Sequence, residues 1–336
     1  MLNYLKNEDG LINISKENIK PNNNDWVDLP NGSQIRHIDV GVFEVRPRMQ
    51  SNKNIVLSCG IHGNETAPIE ILSKLISQIV NGAVEPKVNL LFILGNPEAM
   101  KISVRFISIN MNRLFAGAFK QYELNDKDRY ELIRAERLEE VVSHFFENKT
   151  ENQKLHLDLH TAIKPSFHKT FAIRPLNHKK MDKNSKQLLL AMGIEAVLQH
   201  NKPSTTFSYF SVKKFNAEAY TLELGKVKEF GENNPDDFAM AVRALTDIVI
   251  DNSFSKHDSR DLAEYKVVAE IIKQSDEFVF HVAENVKNFT AFPQGSLIAE
   301  DSDYNYRVAY QEESVVFPNV NVPIGQRVAL MVAKLY

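Results

Sequence analysis

The sequence predicts an α/β fold followed by a smaller β-rich domain at the C-terminal end. Three observations carry this. Ile55-Val56-Leu57 reads as a buried strand, Ala67 to Val80 as a helix with Ile69, Leu72, Leu75, Ile76, Ile79 and Val80 on one side, and Val88 to Leu94 as a second strand. Strand, helix and strand at that spacing form a βαβ unit. Lys154 to Thr161 alternates strictly, with Leu155, Leu157 and Leu159 on one face of a strand and His156, Asp158 and His160 on the other. Beyond about Asn252 the pattern changes to short alternating runs separated by Pro293, Gly295, Pro318 and Pro323. Residues 1–252 and 253–336 are therefore expected to form two domains.

Composition narrows the function. The chain has 336 residues, 43% hydrophobic and 25% charged, with a formal net charge of -3. These are the proportions of a globular protein with a sizeable core, and they give no bulk basic charge for nucleic acid. A single cysteine, Cys59, excludes an internal disulfide and fits a reducing compartment. Met1 to Ile14 lacks a continuous apolar core, and no apolar run approaches the ~20 residues of a membrane span. A cytoplasmic location is expected.

In chain order, residues 1–35 are polar, with Asn22-Asn23-Asn24-Asp25 as a turn cluster. Ile35 to Pro47 alternates and suggests one or two strands. Gly95-Asn96-Pro97 is a turn signal, and a short helix is expected to begin at Pro97. Arg105 to Phe115 is irregular. Asn125 to Asn148 reads as an amphipathic helix, with Leu132, Ala135, Leu138, Val141, Val142 and Phe145 inward and Glu131, Arg134, Glu139 and Glu140 on the solvated face. Phe171 to Arg174 and Ala219 to Leu224 read as strands, Ser185 to Met192 and Asp236 to Ile250 as helices. Ser253 to Asp261 is linker-like. The expected C-terminal strands are Tyr265–Ile272, Phe278–Val282, Ser296–Ala299, Arg307–Gln311 and Val315–Phe317.

Chemistry concentrates where the first strand meets its helix, at Cys59-Gly60-Ile61-His62-Gly63-Asn64-Glu65-Thr66. An open α/β sheet exposes its functional edge at such a junction. His62 and Glu65 are spaced so that both reach one zinc ion, and Gly60 and Gly63 allow the sharp turn that aims them. A third ligand is needed from a neighbouring strand. His160 and His156 are the candidates, roughly 13 Å apart along the strand at ~3.3 Å per residue. His160 is preferred because ligands gather at the carboxyl ends of strands, and Asp158 shares its face as an acceptor for a histidine N–H. Cys59 reads as a small buried residue rather than a ligand.

Four motifs in order resemble the succinylglutamate desuccinylase/aspartoacylase family. They are Gly60-Ile61-His62-Gly63-Asn64-Glu65-Thr66-Ala67-Pro68, Asn110-Met111-Asn112-Arg113, His156-Leu157-Asp158-Leu159-His160-Thr161-Ala162-Ile163 and Thr221-Leu222-Glu223-Leu224-Gly225. The likeness covers most of the chain, including Val316-Phe317-Pro318-Asn319, and the spacing favours the desuccinylase branch. It implies a zinc-carboxypeptidase-like catalytic domain, a mixed sheet with helices on both faces, spanning residues 1–252. It further implies one zinc ion per subunit on His62, Glu65 and His160, and hydrolysis of N-succinyl-L-glutamate to succinate and L-glutamate, closing an arginine-degrading route. Glu223 matches the family's general base; by itself it reads first as a strand-end carboxylate or turn residue, and the motif reverses that order. Arg105 matches the arginine that polarises the scissile carbonyl, and Asn112 with Arg113 the pair that binds a carboxylate; alone, either arginine reads as a surface residue. Lys213 falls where relatives carry arginine and is a candidate substrate contact. Asn110 departs from the family, which commonly has Asp there; the change is expected to touch local hydrogen bonding rather than zinc. Thr205-Thr206-Phe207-Ser208 is a candidate pocket wall.

Rival readings are a deacylase for another N-acyl amino acid, such as N-acetylaspartate, and a metallocarboxypeptidase, which needs a more open groove. A zinc-free binding or scaffold relative is the non-enzyme alternative, disfavoured because ligands, base and arginines are all present. The expected partner is a small N-acyl amino acid, not nucleic acid or membrane, and oligomerisation is left open.

Overall fold

The structure is a computed structural model that describes residues 1–122, 129–147, 153–253, 261–302 and 304–335. The expected βαβ unit forms from β4 (Lys53–Cys59), α3 (Thr66–Val80) and β5 (Asn89–Leu94), followed by α4 (Pro97–Lys101). Before it lie α1 (Leu2–Leu5), α2 (Gly10–Lys16), β1 (Val27–Asp28) and the antiparallel pair β2 (Gln34–Asp39) and β3 (Val42–Arg46). The first two helices break the polar reading of residues 1–35. Leu5, Leu11, Ile12 and Ile14 are buried in the same core as the apolar stripe of α3.

After α4 come α5 (Tyr130–Glu147), β6 (Gln153–Ala162), β7 (Phe171–Arg174), α6 (Lys183–Ala191) and β8 (Ala196–Gln199). Next are α7 (Phe207–Phe215), β9 (Glu218–Lys226) and α8 (Ala239–Val249). Residues 125–128 and 148 of the helix expected over 125–148, and 254–260 of the expected linker, lie outside the described residues. The C-terminal part contains β10 (Ala263–Ile272), β11 (Val279–Phe280), β12 (Thr290–Pro293), β13 (Leu297–Asp301), β14 (Tyr304–Arg307), β15 (Glu312–Val316) and β16 (Arg327–Lys334).

A 13-stranded mixed sheet runs in the order β1-β2-β3-β5-β4-β6-β9-β7-β8-β10-β16-β15-β12. Its centre is parallel across β5-β4-β6-β9. Two cores follow from strand alternation. Leu57, Leu90, Phe92, Leu157, Leu159 and Leu222 face α2, α3, α6 and α8. Val56, Leu91 and Ile93 face α5 and α7. The C-terminal strands extend this same sheet, because β10 pairs in parallel with β8. They also carry a separate three-stranded sheet, β11-β13-β14.

Three elements carry little local signal. α7 has the composition Phe-Ser-Tyr-Phe-Ser-Val-Lys-Lys-Phe, rich in aromatics and poor in strong helix formers. It is set instead by Thr206, whose side chain accepts the Tyr209 N–H at the helix start, and by Phe207 and Phe210 in the core. β8 is only four residues long. β16 is buried on both faces, so it shows no alternation to read. The strand expected over 307–311 instead ends at Arg307, and the Ala309 and Tyr310 N–H groups turn to the buried Glu313 carboxylate.

Helix α5 corrects the sequence reading at two of its four solvated positions. Glu131 is fully buried and Arg134 nearly so. Glu131 accepts the Ile107 N–H at 2.6 Å and the Ser108 hydroxyl at 3.0 Å. Arg134 donates to the carbonyls of Gly95, Val40 and Leu94 at 2.8–2.9 Å. Both take up backbone groups in loops and at the end of β5. Glu131→Ala should cost about 2 kcal/mol of stability, because it strands buried donors, and urea denaturation measures it. An unchanged midpoint would show that this bracing is dispensable.

Candidate active site

Register assembles the site. β4 sets Ser58 opposite Asp158 and Cys59 opposite Leu159, while β6 sets His160 opposite Glu223 on β9. The carboxyl ends of three parallel strands thus bring the His62–Glu65 loop, His160 and Glu223 to one edge. Gly60 makes the turn with φ +62, as expected. Gly63 serves for a different reason: a Cβ there would lie 2.2 Å from the Met100 backbone nitrogen.

His62, Glu65 and His160 are all buried, and one donor atom from each lies within 4.8 Å of the others. The two imidazoles converge on the two oxygens of one carboxylate: His62 Nδ1 is 2.9 Å from Glu65 Oε1 and His160 Nδ1 is 2.8 Å from Glu65 Oε2. Donors bound tetrahedrally to one zinc at about 2.0–2.2 Å lie roughly 3.3–3.6 Å apart, a spacing that donor atoms already within 4.8 Å of one another can reach with small shifts. The outer ring nitrogens are also fixed. His160 Nε2 lies 2.9 Å from Asp158 Oδ2, and His62 Nε2 lies 3.0 Å from Asn110 Oδ1. Such contacts orient an imidazole and tune its basicity. Asn110 therefore touches a candidate ligand directly, so its departure from the family bears on the metal site as well as on local bonding. His156 is placed elsewhere, between Ser58 Oγ at 2.9 Å and Ser211 Oγ at 2.7 Å.

Electrostatics follow burial and neighbours. Burial, then the Arg105 charge, lowers His62 to about 4, leaving the neutral imidazole that a metal requires. Burial also opposes the His160 cation, but Asp158 and Glu65 on either side carry it well above its usual value. Glu65 is pulled well below the usual carboxylate range by both histidines, against the effect of its burial. Glu223 is raised to about 7 by burial and by the Glu65 charge. Its Oε2 is buried without a hydrogen-bond partner among the described residues. A buried, unpaired carboxylate oxygen beside a donor cluster costs stability and marks a group held for chemistry.

His62, His160 and Glu223 line a cleft of about 420 Å³, within the range of small-molecule sites. Arg105, Asn110, Asn112 and Arg113 line one side. Arg105 spends Nη1 on Glu65 Oε1 at 2.7 Å. Asn112 spends Oδ1 on the Phe207 N–H at 3.0 Å, leaving its Nδ2 amide for a ligand. Thr206 lines the cleft, whereas Phe207 and Ser208 are packed inside. Lys213 is not part of the lining: it is exposed, and its Nζ lies 3.2 Å from the Ala116 carbonyl. The C-terminal part adds Phe317, Pro318 and Asn319, which follow β15, and Arg327, which opens β16; of these the sequence pointed only to the 316–319 segment.

Fold and site together define an α/β protein with a His-Glu-His donor set that could hold a metal ion at the carboxyl edge of its sheet. Residues 51–249 match the Succinylglutamate desuccinylase/Aspartoacylase catalytic domain, and residues 260–335 match the AstE/AspA barrel-sandwich hybrid domain. The chain belongs to the succinylglutamate desuccinylase/aspartoacylase family. It is 42% identical over 296 residues to a succinylglutamate desuccinylase of Shewanella frigidimarina, covering 87% of this chain and 85% of that one. The structure of the Vibrio parahaemolyticus succinylglutamate desuccinylase superposes with a TM-score of 0.88 at 35% identity, covering 97% of this chain and 95% of that one. That from Vibrio cholerae superposes with a TM-score of 0.87 at 37% identity, covering 96% and 94%. Among the described residues no helix is long and apolar enough to cross a membrane.

Proposed function

We propose that this chain is a zinc-dependent amidohydrolase that cleaves N-succinyl-L-glutamate to succinate and L-glutamate, the closing step of an arginine-degrading route. The observation that carries this reading is the His62–Glu65–His160 donor set under a basic cleft, with the unpaired Glu223 carboxylate beside it. The names of the relatives reported above support the substrate. His62, Glu65 and His160 would hold one zinc ion per subunit. Zinc supplies Lewis acidity and stabilises negative charge on the reacting carbonyl.

The chain's own residues do the rest. Glu223 accepts a proton from the attacking water as its oxygen adds to the succinyl carbonyl carbon. It then delivers that proton to the glutamate nitrogen as the C–N bond breaks. Arg105 keeps guanidinium donors beyond the one on Glu65, and these steady the oxyanion. Arg113 and the Asn112 Nδ2 group hold a substrate carboxylate, for which a planar guanidinium is suited. Lys213 has no part in this scheme.

Purified protein with zinc is to be assayed against N-succinyl-, N-acetyl- and N-glutaryl-amino acids. Glutamate release from the succinyl compound in strong preference to the others is expected. Preference for N-acetylaspartate would move the chain to the aspartoacylase type of reaction.

A further inference from the structure

The cleft carries more positive charge than Arg105 and Arg113 account for. Arg327, at the start of β16 in the C-terminal part of the chain, also lines it. Arg327 is half-buried, yet its guanidinium has no hydrogen bond or ion pair among the described residues. The acidic group it senses is Glu270, and Glu270 is engaged with His200 at 3.3 Å. Arg113 also has no ion pair among the described residues, although it too senses the charge of Glu270; its guanidinium donates to the Asn112 carbonyl at 2.9 Å. Burial, then the charges of Arg327 and Arg105, lowers Arg113 to about 9. Like charges gathered in a desolvated cleft are unfavourable without an anion between them.

Local structure shows how Arg327 is aimed. The ladder between β10 and β16 pairs Ile271 with Ala329 and Ile272 with Arg327, a register shift that leaves Val328 unopposed. Strict alternation would send Arg327 and Leu330 to opposite faces. The shift lets both line the cleft. Irregularities of this kind re-aim side chains at functional edges.

We propose that Arg327 is a specificity-determining residue that binds the side-chain carboxylate of the glutamyl end of the substrate, while Arg113 holds the neighbouring α-carboxylate. This rests on the function proposed above. Arg105 sits on Glu65 beside the metal-ligand loop, Arg327 comes from the C-terminal strand β16, and Arg113 lines the same cleft within reach of both charges. On N-succinylglutamate the α-carboxylate adjoins the amide nitrogen and the side-chain carboxylate lies farther along the same residue. The succinyl carboxylate lies on the other side of the scissile bond. Arg113 and Arg327, which line one cleft closely enough for one charge to act on the other, therefore match the two carboxylates of one glutamate.

The test compares the zinc-loaded protein with its Arg327→Ala and Arg327→Gln variants on three substrates. N-Succinyl-L-2-aminobutyrate lacks the side-chain carboxylate, and N-butyryl-L-glutamate lacks the succinyl one. On N-succinyl-L-glutamate both variants should lose about a hundredfold in kcat/KM, mainly through KM, as expected for a lost charge-assisted contact. On N-butyryl-L-glutamate the relative loss should persist, and on N-succinyl-L-2-aminobutyrate it should nearly vanish. An equal loss on the aminobutyrate compound overturns the proposal, as does a loss confined to substrates bearing the succinyl carboxylate. Calorimetry with L-glutamate and L-2-aminobutyrate makes the same comparison without turnover. If the parent protein hydrolyses none of these amides yet binds glutamate in an Arg327-dependent way, the function fails and the inference stands. If it hydrolyses succinylglutamate and the variants match it, only the inference fails. Arg327→Ala should melt no lower than the parent, since it removes a charge without a partner. Should it not fold, Arg327→Gln carries the comparison.

Discussion

Glu223→Ala should reduce turnover of N-succinylglutamate by roughly 10²–10⁴-fold while bound zinc stays unchanged. The two halves of this expectation have separate causes. Glu223 is outside the three-residue donor set, so elemental analysis should find the same metal content. Its Oε2 is buried with no partner among the described residues, so the side chain does little for the fold that would explain a loss of rate. Burial and the Glu65 charge raise its carboxyl to about 7. A base must be ionised to accept a proton, so activity should fall as pH drops through the Glu223 pKa. A cation on His62, Glu65 and His160 favours the ionised form, which places this acid limb at or below about 7. Glu223→Gln keeps the shape and should lose both the rate and the limb. Near-normal turnover in either variant removes Glu223 from the role of base.

How far the site was legible depends on whether each feature is local. His62 and Glu65 are three residues apart on a strand-to-helix turn, and His160 ends a strand of strict period two, so spacing exposed them. The pairing of His160 with Glu223 is a register between strands 63 positions apart, which composition does not encode. The family motifs pointed to it and strand pairing explains it. Glu131 and Arg134 were misread because charged side chains on an amphipathic helix face solvent unless something else claims them. Here the claim comes from backbone groups at residues 107–108 and at the carbonyls of residues 40, 94 and 95. Arg327 was hidden for a related reason: a register shift inside the C-terminal strands breaks the alternation that would have marked its face. The N-terminal helices were missed because their few apolar residues fall in short segments, and packing on α3, rather than length, supports them.

The choice of His160 over His156 yields the other large effect. Both lie on the same face of β6 and both are buried, so neither burial nor periodicity separates them. Their partners do. His160 offers Nδ1 toward the Glu65 carboxylate, with Asp158 fixing the far side of the ring. Both nitrogens of His156 are held by serine hydroxyls. His160→Ala should therefore lower zinc affinity by more than the ~10–100-fold that loss of a supporting contact costs, and abolish measurable turnover. His156→Ala removes a partner of Ser58, which in turn donates to Asp158 at 2.6 Å. It acts on His160 only through that chain, so its effect on zinc should stay within about tenfold. Equilibrium dialysis of both variants decides the matter. If His156→Ala loses zinc and His160→Ala retains it, the ligand set is wrong, and the convergence of two imidazoles on Glu65 is structural. If His160→Ala alone loses zinc, Asp158 and Glu65 are left facing each other without the imidazolium between them. The metal-free variant should then be less stable than the metal-free parent near neutral pH. That difference should shrink as acid protonates the carboxylates.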